Sequence, residues 1–107
     1  MSKTTRFGIT LTAALLFAAS ISFAQSSGEA TYKAKCQSCH GAEGTPNPGI
    51  AKAMGVKPAN DPSVKAISET QMIADTTNGK AKMPAFKSKI TDAQIKDSVD
   101  YFRSLGK

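Results

Sequence analysis

The sequence predicts an all-α fold, and three observations support this prediction. No segment alternates apolar and polar residues for long enough to form a half-buried strand. Three stretches begin with a signal for a helix N-terminus, at Ser26, Ser68 and Thr91. The chain has 107 residues, 40% of them hydrophobic and 21% charged, which is the composition of one globular domain.

The first 24 residues have the features of a cleaved secretory signal peptide. Lys3 and Arg6 give a positively charged start, and an almost unbroken apolar stretch follows at residues 7–23. Ser22 and Ala24 are the small residues that a signal peptidase reads. The apolar stretch is short for a membrane span, and no stop-transfer cluster follows it. We therefore expect cleavage after Ala24, export from the cytoplasm and no membrane span in the mature chain.

The expected mature domain comprises residues 25–107. Loss of the leader, with Lys3 and Arg6, leaves 83 of the 107 residues and lowers the net charge from +6 to +4. A domain this small buries little apolar area, so we expect a covalent or bound group to complete its core. The destination of an exported chain is also oxidising, so an unattached pair of cysteines would form a disulfide there.

The first predicted helix begins at Ser26, with Glu29 completing a capping box. Four residues at spacings of four, four and three share one face of it: Gly28, Tyr32, Cys36 and Cys39. The next segment, Gly41–Lys65, is rich in proline and glycine. It is predicted as one long ordered loop, which is unusual in a compact domain unless the loop wraps around something.

Two further helices are predicted from their caps. The second begins after Ser68, with Gln71 completing a capping box, and runs to Thr77, before Asn78-Gly79. The third begins after Thr91 with an equivalent box and ends at a glycine. Its apolar stripe and final glycine are Ile95, Val99, Phe102, Leu105 and Gly106.

The pentapeptide from Cys36 to His40 is a C-x-x-C-H sequence, which is typical of covalent attachment of a c-type haem. Thiols at Cys36 and Cys39 lie about one helical turn apart and match the two vinyl groups on one porphyrin edge. The next residue, His40, can then turn its imidazole under the ring and bind the iron. We therefore predict one covalently bound haem c.

Three other interpretations of this motif are weaker. A thioredoxin-like dithiol also uses C-x-x-C, but it requires a βαβ context, and no strand is predicted. A zinc site requires a fourth ligand beside Cys36, Cys39 and His40, and none is evident. A structural disulfide would leave the small core incomplete.

A second axial ligand must be something other than histidine, because His40 is the single histidine. A methionine thioether is the usual protein alternative. Met83 precedes Pro84, which holds it in an extended conformation outside a helix and suits a ligand that reaches inward from a loop. Met72 has the position of a core residue, and Met54 that of a loop anchor. Met83 is therefore favoured, with Met54 or an open position on the iron as alternatives.

Residues Ser26–Lys107 resemble the class I c-type cytochromes, which are small one-haem electron carriers of bacterial periplasms. The resemblance rests on three groups of residues: Gly28 and Tyr32 before the haem-binding motif and Gly41; Asn78-Gly79-Lys80 before Met83-Pro84-Ala85-Phe86; and Val99–Leu105. It implies a cytochrome c fold, in which three main helices and loops wrap around one covalently bound haem. It also implies thioethers from Cys36 and Cys39, with His40 and Met83 as the proximal and distal iron ligands.

The resemblance carries two structural expectations. Gly28 of the first helix should pack closely against Tyr101 of the last, with Tyr32 beside them. A proline carbonyl, from Pro46 or Pro48, should accept a hydrogen bond from the proximal histidine and orient it.

The expected function is single-electron transfer between redox proteins, without enzymatic activity and with a positive reduction potential set chiefly by the methionine. Lysines near the two motifs would steer acidic partners, although scattered lysines are more often a solvated surface. These are Lys33, Lys35, Lys80, Lys82, Lys87 and Lys89. We expect a monomer, and no nucleic-acid partner, because the chain is exported and lacks a recognisable module. Alternatives are a haem subunit of a periplasmic dehydrogenase or oxidase, a five-coordinate haem sensor and a thiol–disulfide oxidoreductase.

Overall fold

The structure, a computed structural model, describes residues 27–107, so the predicted leader and the predicted cap Ser26 lie outside it. Within residues 27–107, six helices run in order: α1 (residues 27–35), α2 (Gln37–His40), α3 (Pro48–Met54), α4 (Pro62–Lys65), α5 (Glu69–Asn78) and α6 (Asp92–Leu105). The described residues form no strand beyond an isolated bridge between Lys80 and Met83, so the all-α prediction is confirmed. No helix in residues 27–107 is long and apolar enough to cross a membrane.

The caps of α5 and α6 lie where the sequence places them. Thr91 Oγ1 accepts a hydrogen bond from the Gln94 amide at 3.1 Å, and the Gln94 side chain accepts one from the Thr91 amide at 2.9 Å. Ser68 caps α5 in the same way, at 3.1 Å from the Gln71 amide. The predicted return bond from Gln71 is wrong, because its side-chain amide donates instead to the carboxylate of Asp75 at 2.8 Å.

The segment predicted as one long loop contains two short helices, which corrects the sequence analysis. Helices α3 and α4 each begin with the same device: Asn47 and Asp61 cap them through side-chain oxygens, and a proline follows each cap. Proline at the first helical position lacks only an N–H that would have no partner there. The pairs Asn47-Pro48 and Asp61-Pro62 are therefore sequence patterns from which the starts of these two helices could have been predicted.

The main core lies between α5, α6 and the connection that joins them. Ile95 and Val99 of α6 and Phe86 of the connection are buried, with Ile95 fully inaccessible to solvent. Half-buried hydrophobic side chains pack around these three: Met72, Ile73, Met83 and Ile90. Met83 therefore belongs to the edge of this core.

Helix α1 meets α6 at a glycine, as the sequence predicts. A Cβ atom at Gly28 would lie only 2.3 Å from the Asp97 carbonyl oxygen and 3.4 Å from Tyr101 Cβ. The Tyr32 and Tyr101 rings pack beside this contact, with centroids 5.2 Å apart. The expected close approach of the first and last helices is confirmed.

The C-terminal end of α6 contacts the segment before α4. The helix ends at Leu105, as predicted, but Gly106 has φ −89° and so does not use a left-handed backbone. Glycine is needed for space, because a Cβ atom there would lie 2.4 Å from the carbonyl oxygen of Ala59. The Ala59 amide in turn donates to the Gly44 carbonyl at 2.8 Å, which folds this segment back onto α6.

Candidate functional site

Cys36, Cys39 and His40 lie where α1 gives way to α2. The sequence predicts one continuous helix here, but Cys36 has φ −117° and ψ −33° and interrupts it as the N-cap of α2. Its amide still donates to the Tyr32 carbonyl at 2.8 Å, and its carbonyl accepts from the amides of Cys39 and His40 at 3.2 and 3.0 Å. The irregular turn therefore keeps the two thiols about one helical turn apart. Both thiols are half-buried and not bonded to each other.

The Cys36 thiol is directed toward α6. Burial raises its pKa to about 11, the nearby Cys39 adds to this rise, and a hydrogen bond with Ser98 partly opposes it. Because the reactive form of a cysteine is the thiolate, this thiol is a poor nucleophile at neutral pH. This pKa argues against a thiol–disulfide oxidoreductase, which depends on a lowered thiol pKa.

The imidazole of His40 packs against Phe102 of α6, with ring centroids 5.1 Å apart in an edge-to-face arrangement. Its Nδ1 atom is buried and has no hydrogen-bond partner among the described residues, so neither Pro46 nor Pro48 accepts the expected bond. The ring is held by Phe102 and not by a proline carbonyl. Burial lowers the pKa of His40, which favours the neutral imidazole that binds metals.

The chain turns sharply after His40, and Tyr32 fixes this turn. Gly41 has φ +83°, and a Cβ atom there would overlap the carbonyl group of Thr45. The hydroxyl of Tyr32, which is 1% exposed, donates to the Gly41 carbonyl at 2.5 Å. Burial raises the pKa of Tyr32, so the hydroxyl remains a donor. Sequence reasoning identified Tyr32 as a packing residue and missed this bond, which spans nine residues and follows no helical spacing.

Met83 lies at the end of a tight turn between α5 and α6. Its amide and carbonyl bond to the carbonyl and amide of Lys80, at 2.9 and 3.1 Å. The half-buried Met83 side chain packs against the core of Phe86, Ile95 and Val99. The Phe86 amide donates to the Thr76 carbonyl at 3.0 Å, which anchors the following residues to the end of α5.

Helix α6 is the common support for these side chains. Ser98 contacts Cys36, Phe102 contacts His40, and Val99 belongs to the cluster that holds Met83. A cavity of about 180 Å³ adjoins Phe102, with Ala59, Val64, Met72 and Arg103 in its wall. The structure therefore places three of the four predicted site residues, Cys36, His40 and Met83, against one helix.

The other candidates for the second axial ligand are placed differently. Met54 is 36% exposed at the end of α3 and lies outside the hydrophobic core. Met72 packs at the edge of the core, and its sulfur lies 3.8 Å from Arg103 Nη1. Among residues 27–107, no group of three or more His, Cys, Asp or Glu side chains is arranged to hold a metal ion, so the zinc alternative finds no ligand set there.

An all-helical fold with a C-x-x-C-H turn between its first helices defines the chain as a c-type cytochrome domain. A family model described as "Cytochrome C oxidase, cbb3-type, subunit III" matches residues 23–102, and the chain belongs to this family. It is similar to a solved structure of the KustC0563 c-type cytochrome, with 28% sequence identity, coverage of 75% of this chain and 98% of that chain, and a TM-score of 0.67. No curated protein matches the chain. The resemblance to class I c-type cytochromes is thus confirmed.

The family implies haem as the cofactor and electron transfer as the role. The described residues fit haem on the chemistry of their donors. Cys36 and Cys39 provide two thiols within one turn, and His40 provides a half-buried imidazole whose buried Nδ1 atom has no partner among the described residues. Met83 provides a thioether in a loop that is fixed on both sides.

Proposed function

We propose that the mature chain is a periplasmic electron carrier with one haem c. In this proposal Cys36 and Cys39 form the thioether bonds, and His40 and Met83 are the two axial ligands of the iron. The observation that supports it best is the half-buried His40 ring, which follows the two thiols directly, packs on Phe102 and has a buried Nδ1 atom with no partner among residues 27–107.

Each residue has a separate task in this proposal. Haem, when bound, supplies the one-electron Fe(III)/Fe(II) couple. The half-buried positions of Cys36 and Cys39 keep the attached edge close to the protein surface, where a partner can approach. Axial ligation by both His40 and Met83 leaves no position for a substrate, which is why we propose a carrier and not an enzyme. A thioether ligand raises the reduction potential.

Absorption spectra and the mass of the exported protein test the haem assignment. We expect a red protein whose mass exceeds that of the polypeptide by one haem, with a low-spin spectrum and a methionine-to-iron charge-transfer band in the ferric state. Met83→Leu should abolish this band, and the matched control Met54→Leu should retain it. A colourless product would contradict haem attachment, and a high-spin wild type would favour the five-coordinate sensor.

The proposed leader is tested by the same sample. Cleavage after Ala24 would leave Gln25 at the N-terminus, which the mass of the exported protein or N-terminal sequencing detects. Retention of residues 1–24 would contradict both the domain boundary and the proposed release into the periplasm.

The proposed partners are redox proteins with acidic docking surfaces. Lys33 and Lys80 form ion pairs with Glu29 at 2.8 Å and with Asp75 at 3.6 Å, so nearby acids offset part of their charge. Four lysines beside the two motifs have no ion pair within residues 27–107: Lys35, Lys82, Lys87 and Lys89. These four therefore provide most of the attraction for an acidic surface.

Electron exchange with ferricyanide, an anionic probe, tests this charge distribution. At low salt we expect Lys87→Gln to slow the reaction with the ferrous protein more than Lys33→Gln, although both remove one charge. The difference should vanish at high salt because screening removes it. Equal effects of the two variants would contradict the proposed surface.

A second candidate function is that of a haem subunit in a larger respiratory enzyme, because the matching family is described by an oxidase subunit. Size-exclusion chromatography of a gently prepared extract, followed by haem absorbance, separates the two. A free carrier elutes at the size of the monomeric domain, whereas a subunit elutes with a large complex.

A further inference from the structure

The side chain of Lys82 joins two segments that are far apart in sequence. Its Nζ atom donates to the carbonyl oxygen of Ala53 at 2.7 Å, across 29 residues. Ala53 belongs to α3, within the segment that starts just after His40, and Lys82 is the residue directly before Met83. This bond therefore connects the turn that carries Met83 to a helix of the segment that follows His40.

The acceptor of this bond is a carbonyl that α3 itself leaves without a partner. The last carbonyls of a helix have no intrahelical donor, and a lysine side chain is a common substitute. The cap at Gly55 directs its amide to Ala51 and not to Ala53. The ammonium group of Lys82 therefore completes the end of α3, where the helix dipole also favours a positive charge.

The turn that contains Lys82 requires external support. Its second residue, Ala81, has φ +53°, a conformation that a residue with a Cβ atom adopts at a cost. After the turn, Phe86 and Lys87 bond to the end of α5. Such a conformation persists where surrounding contacts hold it, and on the α3 side the Lys82–Ala53 bond makes such a contact.

We propose that Lys82 is a positioning residue for Met83, because its bond to the Ala53 carbonyl fastens the Met83 turn to α3 and so slows the release of the methionine. This inference rests on the proposed function, in which Met83 binds the iron. It assigns to Lys82 a role distinct from attraction of partners, since the bond lies within one molecule and requires a donor as well as a charge.

Imidazole, a neutral probe at pH 8, tests the proposal in the haem-loaded ferric protein. It binds only after Met83 leaves, so its binding rate reports release of the methionine. Lys82→Met keeps a long side chain without the donor, and we expect it to bind imidazole about three- to tenfold faster. Lys87→Met removes the same charge from a lysine with no such bond and should leave the rate unchanged. Lys82→Arg, which retains a cationic donor, should restore the slow rate.

Hydrogen exchange provides a readout that does not depend on an added ligand. The Met83 amide, bonded to the Lys80 carbonyl, should exchange faster in Lys82→Met, whereas the Ile95 amide in α6 should not change. Equal imidazole rates and equal exchange in Lys82→Met and Lys87→Met would overturn the proposal. If the wild type lacks the methionine-to-iron band, it is instead the axial assignment of Met83 that fails, so the two failures are distinguishable.

Discussion

Gly28→Ala should destabilise the domain strongly, because the glycine lies at the contact between α1 and α6. The added Cβ atom would lie 2.3 Å from the Asp97 carbonyl oxygen and 2.9 Å from its carbonyl carbon. Ordinary van der Waals contact of such an atom begins at 3.4 Å, so the added Cβ atom would lie about 1 Å too close to the Asp97 carbonyl oxygen. Both atoms belong to the backbone of a helix and cannot rotate away. The two helices must therefore move apart, which also loosens the packing of Tyr32 on Tyr101.

The size of the effect follows from overpacking in a rigid site. Extra methyl groups in a packed core cost about 1–3 kcal/mol, and contact with backbone atoms places Gly28→Ala near 3 kcal/mol. For a domain of this size, 1 kcal/mol shifts Tm by about 4–8 °C, so we expect Tm to fall by about 12–24 °C. Gly49→Ala in α3 is the matched control, because the added Cβ atom would meet only Oδ1 of the cap residue Asn47, at 3.4 Å. Alanine in a helix should raise stability there by about 0.5–1 kcal/mol.

Urea and thermal unfolding of the haem-loaded protein, followed by far-UV circular dichroism and by haem absorbance, measure both variants. Coincident transitions from the two probes would support the use of a single free energy of unfolding. The two alanine substitutions should act with opposite signs. A loss below about 1 kcal/mol for Gly28→Ala, or equal effects at the two positions, would refute the close contact of α1 with α6.

Three other predictions follow from single contacts. Thr91→Ala should lower the free energy of unfolding by about 1 kcal/mol in urea titrations, because it removes the capping box of α6; an unchanged midpoint would contradict the role of the cap. Ile95→Val should cost about 1 kcal/mol by the same assay, because Ile95 is fully buried and the lost methylene leaves a void; no loss would mean that the site collapses. Hydrogen bonds from Ser63 lower the pKa of Asp61, so its stabilising effect is present above about pH 4 and is lost as the pH falls through the lowered pKa. Unfolding measured from pH 6 to pH 2 should therefore show a shallower acid decline for Asp61→Asn than for the wild type, and parallel curves would contradict this reasoning.

The parts of the fold that the sequence predicted are those fixed by neighbouring residues. The cap Thr91 bonds to a residue only three positions away, so the start of its helix can be predicted without knowledge of the fold. The spacing of Cys36, Cys39 and His40 is equally local. The two missed helices had local signals as well, but seven and four residues are too few for apolar periodicity to reveal them.

The contacts that sequence reasoning missed join residues that no short motif relates. The hydroxyl of Tyr32 fixes the turn at Gly41, and Lys82 completes α3 at Ala53. From the sequence alone, Tyr32 is equally consistent with an ordinary core residue and Lys82 with an ordinary solvent-exposed lysine. Only the path of the chain shows which acceptor lies within reach of each side chain.

The small core explains why the proposed cofactor and the fold depend on each other. In residues 27–107, five hydrophobic residues are buried: Tyr32, Ala59, Phe86, Ile95 and Val99. Three of them form one cluster beside Met83, whereas Tyr32 lies by the turn at Gly41, so α6 joins two small apolar groups. A core this small supplies little stability by itself, so a covalent or bound group would add substantially to it. Because Cys36, His40 and Met83 lie against the same helix, attachment of the proposed cofactor would join these groups into one core, and electron transfer and stability would then depend on the same bonds.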